Sequence, residues 1–78
     1  MKMEFEKVRE VISEQMGIDG DDIKMETSFI KDLHADSLDI LQIINDLEEA
    51  FGMEFTDNNS ENYKTVADVV NYIKKALS

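Results

Sequence analysis

Apolar residues return every three or four positions in separate stretches of this chain, which is the spacing of an α-helix. The first stretch covers residues 4–16, and Gly17 follows it as a helix stop. The second covers residues 37–50, with Asp36 as the candidate N-cap and Gly52 at the end. These two patterns predict two amphipathic helices joined by a long connection.

A third helical pattern lies near the end of the chain. Thr65 and Asp68 have the spacing of a capping box in which Asp replaces the usual Glu. Apolar residues then keep helical spacing over residues 66–77, and Lys74 and Lys75 suit the negative end of the helix dipole. The chain is therefore predicted to be all-α, a small bundle of three main helices plus one short helix.

The connection between the first two helices, residues 18–35, is long for a small domain, and such loops tend to carry function. Its apolar anchors predict an ordered loop: Ile18, Ile23, Met25, Phe29, Ile30 and Leu33. Residues 19–22 predict a short helical turn rather than an EF-hand, because position 24 is not Gly and position 30 is not Glu. Residues 56–63 predict another loop or short turn. We expect one domain, residues 1–78.

The second helix has an apolar face that predicts core packing, formed by Ile40, Ile43, Ile44, Leu47 and Phe51. At about 100° per residue, Leu38 and Leu41 fall roughly opposite that face. Single exposed leucines are common, and the long loop could cover these two. The alternative is a small docking site, an apolar anchor with an acidic rim.

The charge of the chain restricts its partners. Its 78 residues include 18 acidic and 8 basic side chains, a formal charge of -10, and no Lys or Arg lies between Lys31 and Lys64. Such a surface repels nucleic acid and anionic membranes and attracts basic protein patches. The chain lacks cysteine, a signal-peptide pattern and a membrane-length apolar stretch, so we expect a cytoplasmic protein without stable membrane insertion. We also expect a monomer.

Ser37 is the most informative candidate residue, because it stands at the start of the second helix. Free backbone N–H groups and the helix dipole favour a phosphate there. His34 and Asp39 flank Ser37, but a domain this small offers little room for a substrate pocket, so we expect no catalytic triad. No metal-ligand spacing stands out, and we expect no specific metal site.

The chain resembles the acyl carrier proteins of fatty acid synthesis over nearly its whole length. The resemblance is carried by Asp36-Ser37-Leu38-Asp39 at a helix start, by Phe29-Ile30-Lys31-Asp32-Leu33 before it, by Leu47-Glu48-Glu49-Ala50-Phe51-Gly52 after it, and by the third helix. It implies a non-enzymatic carrier of acyl chains, held as thioesters on a 4′-phosphopantetheine arm. A phosphopantetheinyl transferase would attach that arm from coenzyme A to Ser37.

The same resemblance implies a face that basic patches on fatty acid synthesis enzymes recognise. Its residues would be Asp36, Leu38, Asp39, Leu41, Glu48 and Glu49. With Ile30, the core residues Ile44, Leu47 and Ile73 are further expected to line a space that shelters a short acyl chain.

Some positions depart from the pattern of the family. His34 stands where the family usually has glycine, and a histidine adopts the left-handed conformation more readily than most residues. Gln42 replaces a usually acidic residue, and Thr56 replaces a usual proline. These changes leave open a specialised carrier for a polyketide or other secondary pathway. The off-core leucines and the block of acidic residues leave open a second alternative, an acidic helical interaction module without a prosthetic group.

Overall fold

A computed structural model describes residues 3–56 and 59–77. Its main elements are three α-helices: α1 (Met3–Met16), α2 (Ser37–Phe51) and α3 (Val66–Leu77). A short 3₁₀ turn, Gly20–Asp22, lies between α1 and α2, and another, Ser60–Asn62, lies between α2 and α3. The predicted all-α bundle is confirmed, including the long loop between the first and second helices.

The ends of the helices form where the local residues predict them. Gly17 and Gly52 adopt left-handed φ values of 68° and 63°, which glycine reaches without a Cβ penalty. At the start of α3, the side chain of Asp68 accepts hydrogen bonds from the N–H groups of Lys64 and Thr65 at 2.9 and 3.1 Å. The N–H of Asp68 in turn donates to Thr65 Oγ1 at 3.4 Å, so the predicted capping box is present.

The core lies where the three helices and the loop meet. Its buried apolar residues are Val8, Ile12, Ile23, Phe29, Ala35, Ile40, Ile43, Ile44, Leu47, Phe55, Tyr63, Val66, Val69, Val70 and Ile73. Because helices and loop both contribute, the loop is a structural element of the bundle and not a linker.

The long loop is hydrogen bonded to the start of α3. Ser28 and Thr65 form an isolated antiparallel bridge, and the N–H of Phe29 donates to the carbonyl of Lys64 at 3.0 Å. The buried Thr27 takes part as well, since its carbonyl accepts from the N–H of Val66 at 3.0 Å. This pairing fixes the path of the chain toward Ser37.

The prediction for Ile30 was wrong. Its side chain is 65% exposed, whereas Ile44, Leu47 and Ile73 are fully enclosed in the core. The four residues therefore do not line one space between the helices. Ile30 lies in the loop, where the neighbouring Phe29 takes the buried position.

The predicted turn at residues 56–63 is described only in part. Residues 57 and 58 of the predicted turn at 56–63 lie outside the described residues, as do residues 1, 2 and 78. Within the described ranges, no helix has the length and apolar character needed to cross a membrane.

Candidate functional site

Ser37 is the first residue of α2, and its side chain is exposed. The helix start is held by a reciprocal capping box around it. The N–H of Asp39 donates to Asp36 Oδ1 at 2.9 Å, and the N–H of Asp36 donates to Asp39 Oδ2 at 3.1 Å. The two hydrogen bonds fix the backbone on both sides of Ser37, so its hydroxyl projects from a rigid turn.

The turn before Ser37 is shaped by two neighbouring residues with opposite environments. His34 has a φ of 55°, the left-handed region that most side chains avoid. Ala35 is 3% exposed, and its N–H donates to the carbonyl of Phe29 at 2.8 Å. The left-handed turn at His34 thus redirects the chain from the buried Phe29 to the exposed start of α2.

The geometry at Ser37 suits a covalently attached phosphate. In the part of the chain that the structure describes, the Ser37 hydroxyl and the N–H groups of Ser37 and Leu38 have no hydrogen-bond partner. Unpaired amides in the first helical turn carry the positive end of the dipole and stabilise a negative charge beside them. A phosphodiester on this hydroxyl would lie at that end of α2.

The two leucines predicted for the outer face differ in their surroundings. Leu38 is 74% exposed, as predicted. The prediction was wrong for Leu41, which is half-buried and packs against the core. At about 100° per residue, Leu41 lies about 100° from the centre of the core face and not opposite it, so its partial burial agrees with the wheel of α2. The apolar contact available to a partner is therefore mainly Leu38.

The acidic residues predicted for the docking face are of two kinds. Some accept hydrogen bonds from backbone N–H groups, and one has a free carboxylate among the residues that the structure describes. Asp36 and Asp39 cap α2, and Glu48 Oε2 accepts a hydrogen bond from the N–H of Phe55 at 2.7 Å. Glu49 is exposed and has no hydrogen-bond or ion-pair partner within the described ranges. The anchoring role of Glu48 was missed, since no local sequence signal links residues that lie on a helix and in the following loop.

The structure gives no support for catalysis by His34. Its side chain is exposed and makes no hydrogen bond to Ser37 or Asp39 among the described residues. The described residues also contain no group of three His, Cys, Asp or Glu side chains that could hold a metal ion. The site thus presents one exposed hydroxyl on a capped helix, without a base aimed at it.

Comparison with known proteins decides the family. Residues 6–73 match the family described as the phosphopantetheine attachment site. An acyl carrier protein of Clostridium acetobutylicum is 57% identical over 72 residues, which cover 92% of this chain and 94% of that protein. The chain belongs to the acyl carrier protein family. Acyl carrier proteins of Bdellovibrio bacteriovorus and Clostridium perfringens are each 49% identical over 69 residues. Those alignments cover 88% of this chain, and 88% and 91% of the respective relatives.

Membership of the family identifies the chain as a carrier that holds phosphopantetheine and is not itself an enzyme. The family implies interaction with a phosphopantetheinyl transferase and with synthesis enzymes in general. The residues present fit the group, because an exposed hydroxyl and two unpaired amides meet at the start of α2.

Proposed function

We propose that Ser37 is the residue to which phosphopantetheine is attached, and that the carrier shuttles growing chains among fatty acid synthesis enzymes. The observation that carries the assignment is the exposed Ser37 hydroxyl at the capped start of α2, inside the segment that matches the attachment-site family. The terminal thiol of the attached arm would hold the acyl chain as a thioester.

The chain's own residues have three tasks in this proposal. The capping box of Asp36 and Asp39 holds the attachment turn rigid, so that a transferase meets one conformation of Ser37. The free amides at the start of α2 stabilise the phosphodiester. Tethering then presents each acyl chain to partner active sites at high effective concentration.

The docking face of the carrier is proposed to combine one apolar anchor with acidic groups. Leu38 supplies the apolar contact, and Glu49 has a carboxylate free to meet a basic patch. Asp36, Asp39 and Glu48 contribute negative charge while they hold backbone N–H groups. Leu41 contributes only its exposed part.

Fatty acid synthesis is favoured over a specialised pathway by the high identity to proteins named only as acyl carrier proteins. We further propose that residues 1–78 form a single domain that acts as a monomer in the cytoplasm. A specialised carrier would share the attachment residue and differ in its partners. The native acyl adducts, identified by mass, separate the two readings.

The attachment residue is tested by intact-protein mass. The chain, freed of any attached group, is incubated with coenzyme A, Mg²⁺ and a broad-specificity phosphopantetheinyl transferase. We expect a gain of one phosphopantetheine in the parent chain and none in Ser37→Ala. Ser28→Ala, which removes a hydroxyl in the loop before α2, should still be loaded.

Each result of this experiment has a definite meaning. Loading of a folded Ser37→Ala chain would show that another hydroxyl is the attachment point. A folded parent chain that accepts no group would favour the interaction module without a prosthetic group. Both variants are expected to fold, because Ser37 and Ser28 are not buried. Circular dichroism checks that they do.

A further inference from the structure

A cleft of about 490 Å³ lies on the side of the molecule formed by α1, the first 3₁₀ turn with the loop after it, and α3. The apolar residues that line it are Phe5, Ile23, Met25 and Val70. Phe5 and Met25 are half-buried, whereas Ile23 and Val70 belong to the core and form the floor. The volume lies within the range of small-molecule sites, and the residues that line it include none from α2.

Cationic side chains border this apolar surface. Arg9, Lys24 and Lys74 all line the cleft, although the chain has only 8 basic residues against 18 acidic ones. None of the three forms a salt bridge or a side-chain hydrogen bond in the part of the chain that the structure describes. The guanidinium of Arg9 lies 5.5 Å from the centre of the Phe5 ring, which places its charge directly on the apolar surface.

The carboxylates at the cleft do not neutralise these cations by direct contact. Asp21 and Glu26 also line it, but neither forms a salt bridge with the three basic residues. Three positive and two negative side chains leave the cleft with a local excess of positive charge on a protein whose formal charge is -10. An apolar floor beside unpaired cations is complementary to a ligand with an anionic head and an apolar body.

We propose that this cleft binds a small amphiphilic monoanion of the fatty-acid class, with its carboxylate among Arg9, Lys24 and Lys74 and its chain on Phe5 and Met25. The negative net charge of the carrier favours a ligand that carries little negative charge itself. Repulsion from the acidic surface grows with the charge of the partner, so nucleic acid, an acidic protein or an anionic membrane is disfavoured. A single anionic head incurs the least repulsion and gains the local contacts.

This binding is separate from the attachment of the arm. Ser37 and the docking residues belong to the start and the outer side of α2, whereas the cleft is lined by α1, the loop and α3. The inference therefore goes beyond the proposed function and holds whether or not Ser37 is modified. Its test is a binding measurement that involves no loading reaction.

The test is an NMR titration of the 78-residue chain with decanoate, below the concentration at which the probe forms micelles. We expect saturable shifts in the amide signals of Phe5, Arg9, Lys24, Met25 and Lys74. The uncharged probe 1-decanol should bind more weakly at the same residues, because it lacks the anionic head.

Charge variants test the role of the cations. Lys24→Gln and Lys74→Gln should each weaken decanoate binding about twofold to fivefold, the range for an exposed charge pair. Lys75→Gln is the matched control, since it removes the same charge from the adjacent position of α3 and does not line the cleft. Its affinity for decanoate should stay close to that of the parent.

Several outcomes would overturn the proposal. These are the absence of saturable binding, equal affinity for decanoate and decanol, an equal loss of affinity in Lys75→Gln, or shifts confined to the surroundings of Ser37 or Ile30. Tighter binding of an acidic peptide at the same residues would identify a protein partner as the occupant instead. All three lysines have exposed side chains, so the variants are expected to fold.

Discussion

The hydroxyl of Tyr72 on α3 lies 2.8 Å from the backbone nitrogen of Thr56 and 2.6 Å from its Oγ1. The ring of Tyr72 also stacks on Phe55, with centroids 4.7 Å apart. A proline at position 56, the residue usual in the family, has no N–H to donate. The threonine in this chain therefore allows a hydrogen bond that ties the segment after α2 to α3.

Removal of this hydroxyl should loosen the segment after α2. We expect Tyr72→Phe to lower the free energy of unfolding by about 1 kcal/mol, because the Thr56 N–H loses its acceptor while the stacked ring remains. Thr56→Val keeps the N–H and should cost less. Urea denaturation measures both variants, and an equal loss in the two would mean that Oγ1, not the N–H, carries the contact.

The left-handed backbone at His34 predicts an unusual response to glycine. A left-handed φ costs a residue with a Cβ roughly 1–2 kcal/mol, while glycine loses about 0.5–1 kcal/mol through the freedom of the unfolded chain. His34→Gly should therefore leave the stability unchanged or raise it by up to about 1.5 kcal/mol. Lys31→Gly, at an exposed loop position with negative φ, should be destabilising. Thermal unfolding compares the pair, and a larger loss in His34→Gly would mean that the imidazole makes a stabilising contact.

Substitutions of the acidic docking residues should affect stability and partner binding to different degrees. Asp39→Ala removes one side of the capping box and should cost about 1 kcal/mol of stability, in addition to any loss of partner affinity. Glu49→Gln removes a free carboxylate and should leave the melting temperature nearly unchanged while it slows association with a basic partner. Melting curves and association rates with the phosphopantetheinyl transferase check both. Unchanged association in Glu49→Gln would exclude this residue from the docking face.

The excess of negative charge should make the fold sensitive to salt. With 18 acidic and 8 basic side chains and a formal charge of -10, one-to-one pairing would leave ten carboxylates without a basic partner. Raising the ionic strength from low to physiological should stabilise the fold by about 1 kcal/mol, or roughly 4–8 °C in Tm for a domain of this size. A Tm that does not change with added NaCl or Mg²⁺ would mean that the charges are already well separated.

Local sequence signals predicted the parts of the site that depend on neighbours in the chain. Asp36, Ser37 and Asp39 are close in sequence, so the capping box and the start of α2 follow from spacing alone. The left-handed turn at His34 was also expected, because the family usually has glycine at this position.

Contacts between distant segments were not predictable in the same way. Ile30 is exposed because of how the loop and the helices meet. The cleft was not predictable from the sequence, because Arg9, Lys24 and Lys74 are far apart in the chain and converge only when it is folded. Periodicity reports which face of one helix is apolar and carries no information on which cations will border it.

The pairing of the loop with α3 has a kinetic consequence. Amides in the first turn of a helix have no intrahelical partner and ordinarily exchange their hydrogens quickly. Here the amides of Val66 and Ala67 donate to the carbonyls of Thr27 and Met25 at 3.0 and 2.9 Å. Exchange at this helix start therefore requires the loop to detach. The hydrogen-exchange rate of these two amides thus measures how often the segment that leads to Ser37 opens.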